Sequence, residues 1–517
     1  GIYRLSGLQQ GMLFHGLYDG GEDAYIRQLD CDLNKVNTDA FRRSWDVVIK
    51  SHSALRTAFY HDTFKIPVQC VYNEIEMDIE IPDYRNMNTD EQIEAVKKFK
   101  NSDRKKGFEF NSAPLMRISL IRLSEDKYRM IWTWHHILFD GWSMPVMMEK
   151  FLDTYLSIVS GKAVNEISED RYEDYIRYIE RINKDEEIYY WNNYLNGLDS
   201  GTFLPFAKVS AGRNMGEGIY DSISMQTDET VTVLIHDYSH RNHLTINTII
   251  QGVWSYLLHQ YTGCKDIAFG VIVSGRPDDL PGVENRVGMF INTLPLHSKI
   301  PAGHSRISEW LMILQNDQVS SRKHQYTPLQ EVQRLLTDVH GELFDNLLVF
   351  ENYPFNKIVG SNKWGLNIES AEMYERTNYP LTIAIDSSEK ISINFSYNTD
   401  VLSKEYVNQI RSNFENVLHQ FISNENIRFE DIKLLTANEE RQLLSEFNDS
   451  FSEYPNNKSI AELFEEQVRK TPKNTAIVFE DEEMTYKELD IRSNQVANLL
   501  ISKGITAGEK IGLLSLR

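Results

Sequence analysis

The sequence predicts a mixed α/β protein built from two similar lobes, on three observations. From Tyr128 to Trp134 the residues are aromatic, β-branched or apolar, as in a strand packed on at least one face. Asp140-Gly141 then breaks the extended run. Beyond it come Ser143, a potential helix cap, Pro145 in a first turn, and Met147, Met148, Phe151, Leu152, Tyr155 and Val159 at helical spacing. The same plan returns from Ile391 to Asp400, followed by Ser403 and a helix using Val407, Ile410, Phe414, Val417 and Phe421. Only the first copy carries histidines, His135 and His136, so the pattern reads as a degenerate duplication in which two lobes share one site. Finally, 517 residues exceed what one core accommodates.

Taken in order, the first lobe covers residues 1–165. It begins with a helix over Ala40–Ser51 and a strand over Ala54–Tyr60 that carries Arg56. A charge in so apolar a setting needs an anionic partner. Asp140 is the natural candidate for it, and Arg276, at the end of the apolar strand Ile267–Val273, is a second claimant on the same carboxylate. Tyr172–Leu195 reads as a connecting helix pair. The second lobe, residues 166–425, has a glycine-rich loop at Ser210–Gly218, a long helix over Ile246–Tyr261, and strands near Asp266–Val273, Met289–Leu296 and Asn346–Tyr353. Residues 426–458 read as a linker with a short helix at Ala437–Phe447. Residues 459–517 open a further unit.

Composition narrows the function. A hydrophobic fraction of 41% and a charged fraction of 25% are those of a globular protein, and the formal charge of −21 argues against nucleic acid or an anionic membrane as partner. No apolar run has membrane length, and no signal peptide opens the chain, so the expected compartment is the cytoplasm. The three cysteines, Cys31, Cys70 and Cys264, are widely spaced and suggest neither disulfides nor a zinc knuckle. His136 and Asp140 are four apart, but Gly141 and the preceding strand oppose the helix that zinc ligation at this spacing needs, so no metal is expected. Period 2 sends His135 and His136 to opposite faces of a strand, one toward a cavity and one into packing.

His135-His136-Ile137-Leu138-Phe139-Asp140-Gly141 resembles the HHxxxDG motif of condensation domains of nonribosomal peptide synthetases. Further stretches match in the family's order: Ser6–His15, Leu55–Phe59, Tyr172–Tyr175, Val287–Thr293, His324–Leu329 and Asn378–Leu381. The resemblance spans residues 1 to about 440. Ser459–Phe464 and Met484–Leu489 resemble the opening of an adenylation domain, without its nucleotide-binding motifs.

The resemblance implies two chloramphenicol acetyltransferase-like lobes in a V-shaped pseudo-dimer with a tunnel between them. It implies peptide-bond formation between a donor aminoacyl or peptidyl thioester and an acceptor amine. Upstream and downstream carrier proteins would present these on phosphopantetheine arms, the domain binding no cofactor itself and working as a monomer beside the adenylation domain of its module. It places His136 in the tunnel, and His135 is assigned to packing. Asp140 organises the turn, clamped in the family by an arginine. Gly141 leaves room for the pantetheine arm, and backbone N–H groups near Ser143 are candidate oxyanion donors. The run Gln10–His15 resembles the subgroup whose donors end in a D-residue. A coenzyme A-dependent acyltransferase and an inactive carrier-docking platform are the alternatives. No GxSxG elbow is present, which argues against an acyl-enzyme.

Overall fold

In the computed structural model, residues 1–18, 25–164, 167–207, 218–336, 341–351, 366–387 and 390–514 are described. Two compact units result, Gly1–Thr436 and Ala437–Arg517.

The first lobe is built on a five-stranded sheet. Its strands are β2 (Ile26–Asn34), β5 (Ile79–Glu80), β6 (Met116–Arg122), β7 (Lys127–His135) and β12 (Asn367–Tyr374), in the order β12-β2-β7-β6-β5. The helices Thr38–Ser51 and Ser143–Val159 pack on one face, where Trp45 and Phe41 meet Phe151 and Trp132. A small sheet of β1 (Ile2–Arg4), β3 (Thr57–Tyr60) and β4 (Val68–Val71) lies beside it.

The second lobe has a six-stranded sheet of β8 (Tyr220–Gln226), β9 (Asp266–Val273), β10 (Asn292–Lys299), β11 (Asn346–Glu351), β13 (Leu381–Asp386) and β14 (Ser392–Asn398). Its order is β10-β9-β11-β13-β14-β8. Leu348, Ile383, Ile385, Ile393 and Phe395 turn to the helices Ile246–Thr262 and Lys404–Ser423, whose Trp254, Leu257, Phe414 and Phe421 complete one core.

The two lobes repeat one plan. In the first, β2 flanks β7, the hairpin β6-β7 precedes the helix Ser143–Val159, and the helix after β2 packs on that helix. In the second, β8 flanks β14, the hairpin β13-β14 precedes Lys404–Ser423, and the helix Glu229–Arg241 after β8 packs on it. Strand β12 breaks the symmetry: it belongs by sequence to the second half yet pairs antiparallel with β2 at the edge of the first sheet.

Several expectations change. Arg56 ends a 3₁₀ turn, Ser53–Arg56, ahead of the strand instead of lying in it. Strand β10 starts three residues later than expected, because Gly288 and Phe290 bond to the Asp140–Ser143 turn. Ser143 is the first residue of its helix and not the cap: the N-cap position falls on Trp142, whose side chain makes no capping bond. Residues 426–436, read as linker, belong to the first unit, where Ile427, Phe429 and Ile432 are buried and Tyr256 Oη donates to the Ile432 carbonyl. The linker helix is α-helical only over Ala437–Arg441 and passes into a π turn at Gln442–Glu446. The glycine-rich loop lies outside the described residues except for Gly218, as do the last two residues of the expected strand Asn346–Tyr353. Among the described residues no helix is long and apolar enough to cross a membrane.

The second unit contains the helices Ile460–Lys470 and Tyr486–Ser502 and the hairpin β15 (Thr475–Phe479) and β16 (Glu482–Thr485). None of its described residues is buried.

Candidate active site

A cavity of about 840 Å³ lies between the two lobes of the first unit. One wall is the helix Gly7–Tyr18, which contributes Gly7, Leu8, Gly11, Met12 and His15, together with Tyr25, Arg27, His136 and Gly141. The opposite wall is the open face of the second sheet. Because strand side chains alternate, Leu347, Val349 and Glu351 of β11 face the cavity, as do Thr382, Ala384 and Asp386 of β13 and Ser392, Asn394 and Ser396 of β14. The residues between them fill the core behind.

The two histidines diverge. His135 ends β7, is 3% exposed, and stacks edge-on with Phe110. Its Nδ1 accepts the Ile137 N–H at 3.1 Å, so the proton sits on Nε2, and burial pushes the imidazole down to about 3. It is absent from the cavity wall. His136 stands on that wall, its backbone N–H donating to the Tyr25 carbonyl. Its Nδ1 lies 2.9 Å from the Phe139 carbonyl oxygen, which can only accept. Nδ1 therefore carries the proton, and Nε2 keeps its lone pair. Burial, then the positive charge of Arg27, holds His136 well below the usual histidine range, outweighing the opposing hydrogen bond to Phe139. The ring is neutral at pH 7.

Asp140 lies beneath this turn, 1% exposed. Oδ1 accepts from the Ser143 N–H at 3.0 Å, from Ser143 Oγ at 2.9 Å and from Arg276 Nη2 at 3.2 Å, and Oδ2 accepts from the Phe290 N–H at 3.0 Å. Arg276 also donates to the Val283 and Arg286 carbonyls and lies 4.1 Å above the Phe290 ring. Of the two arginines it is thus Arg276 that meets Asp140. Arg56 pairs instead with Glu169 and donates to the Ile49, Tyr72 and Asn73 carbonyls. The Asp140–Arg276 pair ties the histidine turn of one lobe to the second half of the chain. Gly275 makes it possible: with φ +60, a Cβ here would stand 1.8 Å from the Phe290 oxygen.

Ser143 departs from its expected role. Its N–H and its hydroxyl proton are committed to Asp140, its Oγ accepts the Gly288 N–H, and the residue is fully buried. It neither lines the cavity nor has a donor to offer an oxyanion. Gly141 does line the cavity.

Sequence reasoning missed Gln9, Arg27 and Glu375 and the inner sheet face. Gln9 Nε2 donates to the Ile137 carbonyl at 3.1 Å and so fastens the first helix to the histidine turn. Arg27 Nη1 pairs with Glu375 Oε2 at 2.7 Å. The alternation Thr382-x-Ala384-x-Asp386 and Ser392-x-Asn394-x-Ser396 was the available signal for the sheet face. Among the described residues no cluster of His, Cys, Asp or Glu is arranged to hold a metal ion.

The site thus sets a neutral, anchored imidazole, His136, on the wall of a cavity between the two lobes of an α/β fold. The chain belongs to the condensation-domain family, whose model matches residues 1–444; that of the AMP-binding enzymes matches residues 464–517. Domains of this family form amide bonds in nonribosomal peptide synthetases. The chain is 32% identical over 518 residues to gramicidin S synthase 2 of Brevibacillus brevis, covering 99% of this chain and 12% of that one. It is 32% identical over 523 residues to bacitracin synthase 3 of Bacillus licheniformis, covering 100% and 8%. It thus spans a small part of the relatives it matches. Among solved structures, the first condensation domain of the calcium-dependent antibiotic synthetase, in complex with a substrate analogue, superimposes with a TM-score of 0.66 at 16% identity, covering 84% of this chain and all of that one. A four-domain nonribosomal peptide synthetase bound to AMP and glycine gives 0.75 at 16% identity, covering 98% and 39%. At these identities the likeness speaks for the fold.

Proposed function

We propose that the first unit joins a donor aminoacyl or peptidyl thioester to an acceptor amine, each presented by a carrier protein on a phosphopantetheine arm, with His136 as the group that receives the amine. The observation that carries this is a cavity-lining imidazole whose Nδ1 proton is spent on the Phe139 carbonyl, leaving Nε2 to accept a hydrogen bond. A thioester is already activated, so alignment supplies much of the rate. The acceptor enters as a neutral amine, its N–H donates to Nε2, and its lone pair attacks the thioester carbonyl carbon. The C–N bond forms, the C–S bond breaks, and the sulfur leaves as thiolate. Because burial disfavours an imidazolium, His136 orients the amine through this hydrogen bond, and the proton on the newly bonded nitrogen goes directly to the departing thiolate. Asp140, held by Arg276, sets the turn and takes no part in proton transfer.

The reading extends to the rest of the chain. Residues 1–165 and 166–425 are its lobes, with residues 437–458 as the linker once 426–436 join the first unit, and 459–517 as the start of the adenylation domain of the same module, working in the cytoplasm. The Gln10–His15 run supports a donor ending in a D-residue, since Gly11, Met12 and His15 all line the cavity.

The test loads two carrier proteins with matched thioesters and follows dipeptide. His136→Ala is expected to lower the single-turnover rate about 100-fold. An unchanged rate refutes the role of His136, and equal rates for D- and L-ended donors refute the stereochemical reading.

A further inference from the structure

The second-sheet wall changes character along its length. Leu347, Val349 and Ala384 are apolar, but the wall ends in Glu351 and Asp386, which sit opposite one another in the parallel pairing of β11 and β13. Glu375, at the end of β12, lines the same cavity and holds Arg27 of β2. Three carboxyl groups thus line this end of the cavity, and one of them, Glu375, pairs with the Arg27 guanidinium.

Glu351 is the group left over. Glu375 is spent on Arg27, whereas among the described residues the Glu351 side chain makes no hydrogen bond or ion pair. A partly buried carboxyl without a partner is disfavoured in its charged form unless something else supplies the counter-charge. The groups facing it are Glu375 and Arg27 from the first lobe and Asp386 from its own sheet. Arg27 also acts on His136, so this end of the cavity lies within electrostatic reach of the imidazole.

We propose that Glu351, flanked by Asp386 and facing the Arg27–Glu375 pair, is a specificity site that receives an alkylammonium group carried by one of the two condensing residues. This rests on the condensation reading and goes beyond it by naming the substrate class. Burial, then Glu375, with Asp386 adding and Arg27 opposing, pushes the Glu351 carboxyl up to about 8. In the empty cavity at pH 7 it is mostly protonated. A bound ammonium favours the carboxylate, so binding releases a proton, and affinity for the cation climbs about tenfold between pH 7 and pH 9.

The cation has two possible sources, a basic side chain or the free α-ammonium of a short donor. Calorimetric titration of the whole chain with three pantetheine thioesters separates them: Nα-acetyl-ornithyl carries only the side-chain cation, norleucyl only the α-ammonium, and Nα-acetyl-norleucyl neither. Norleucine matches ornithine in length. A cation-bearing probe is expected to bind at least about tenfold tighter than the neutral one, to release a proton in buffers of different ionisation enthalpy, and, for the ornithyl probe, to gain affinity with pH. Glu351→Gln is expected to bring the ratio near one and abolish the proton release. Asp386→Asn should weaken the preference in part, and serves where Glu351→Gln does not fold. Equal binding of all three probes overturns the site, as does a preference that survives both substitutions. Because binding is read without turnover, loss of the site is distinguished from failure of the condensation chemistry.

Discussion

His136 and Asp140 do opposite things with their surroundings. The imidazole keeps one nitrogen unspent, whereas the carboxylate spends both oxygens on Ser143, Arg276 and Phe290. With His136 held well below 6.5, it stays neutral on acidification. The single-turnover rate should therefore fall on acidification only as the acceptor amine takes up a proton; a limb near pH 6.5 that stays in place when acceptors of different amine basicity are compared in a stopped-flow series would contradict the assigned environment. Stability has the opposite sensitivity. Unfolded histidine takes a proton below about 6.5. Folded His135, pushed down to about 3, refuses it. Its contribution is therefore full above 6.5 and is lost as pH falls from 6.5 toward 3. Denaturant midpoints should drop over that window, and His135→Phe should flatten the drop. For the buried pair, Arg276→Ala leaves Asp140 with three of its four hydrogen bonds but without its counter-charge, costing about 3–5 kcal/mol. A thermal melt should show it.

At the scale of elements, the close approach of Gly275 to Phe290 is the point most sensitive to one methyl group. Gly275→Ala meets both a left-handed backbone, about 1–2 kcal/mol in itself, and a clash with the Phe290 oxygen. It should lower the melting temperature well below that of Gly263→Ala, a helix-end glycine of similar φ with open space around it. Much of this level was legible in sequence. The strand at β7 and the amphipathic helices after β7 and β14 follow from local periodicity, and the chain folds them as read. What was not legible depends on partners far away in sequence. Arg56 and Arg276 are equally plausible mates for Asp140 until the fold puts Glu169 beside the first. The start of β10 moves because Phe290 gives its N–H to Asp140, 150 residues earlier. Ser143 looks like a cap, yet Asp140 claims its N–H. The cavity-facing residues of the second sheet carried a readable alternation, but nothing local says which face of a sheet is left open.

For the molecule as a whole, the division at Thr436 separates two kinds of stability. Residues 1–436 enclose two large cores, whereas the described part of 437–517 buries nothing and leaves Ile460, Phe479 and Leu514 strongly exposed. A chain ending at Thr436 should therefore melt cooperatively at the same temperature as the full chain, and the fragment 437–517 should show no cooperative transition by calorimetry. Limited proteolysis should cut first in the exposed stretch 447–458. A lower melting point for the 1–436 chain would mean that the trailing unit braces the first.

Strand β12 also bears on how such proteins can be recombined. Its pairing with β2 runs from Asn367–Asn34 to Tyr374–Gln28, so the later half of the chain is sewn into the earlier one. A hybrid assembled by splicing the front of one relative to the back of another would inherit a seam of foreign main-chain partners there, directly above the Glu375 anchor. The crevice for its part is stitched along one margin, so widening has to pivot about that seam.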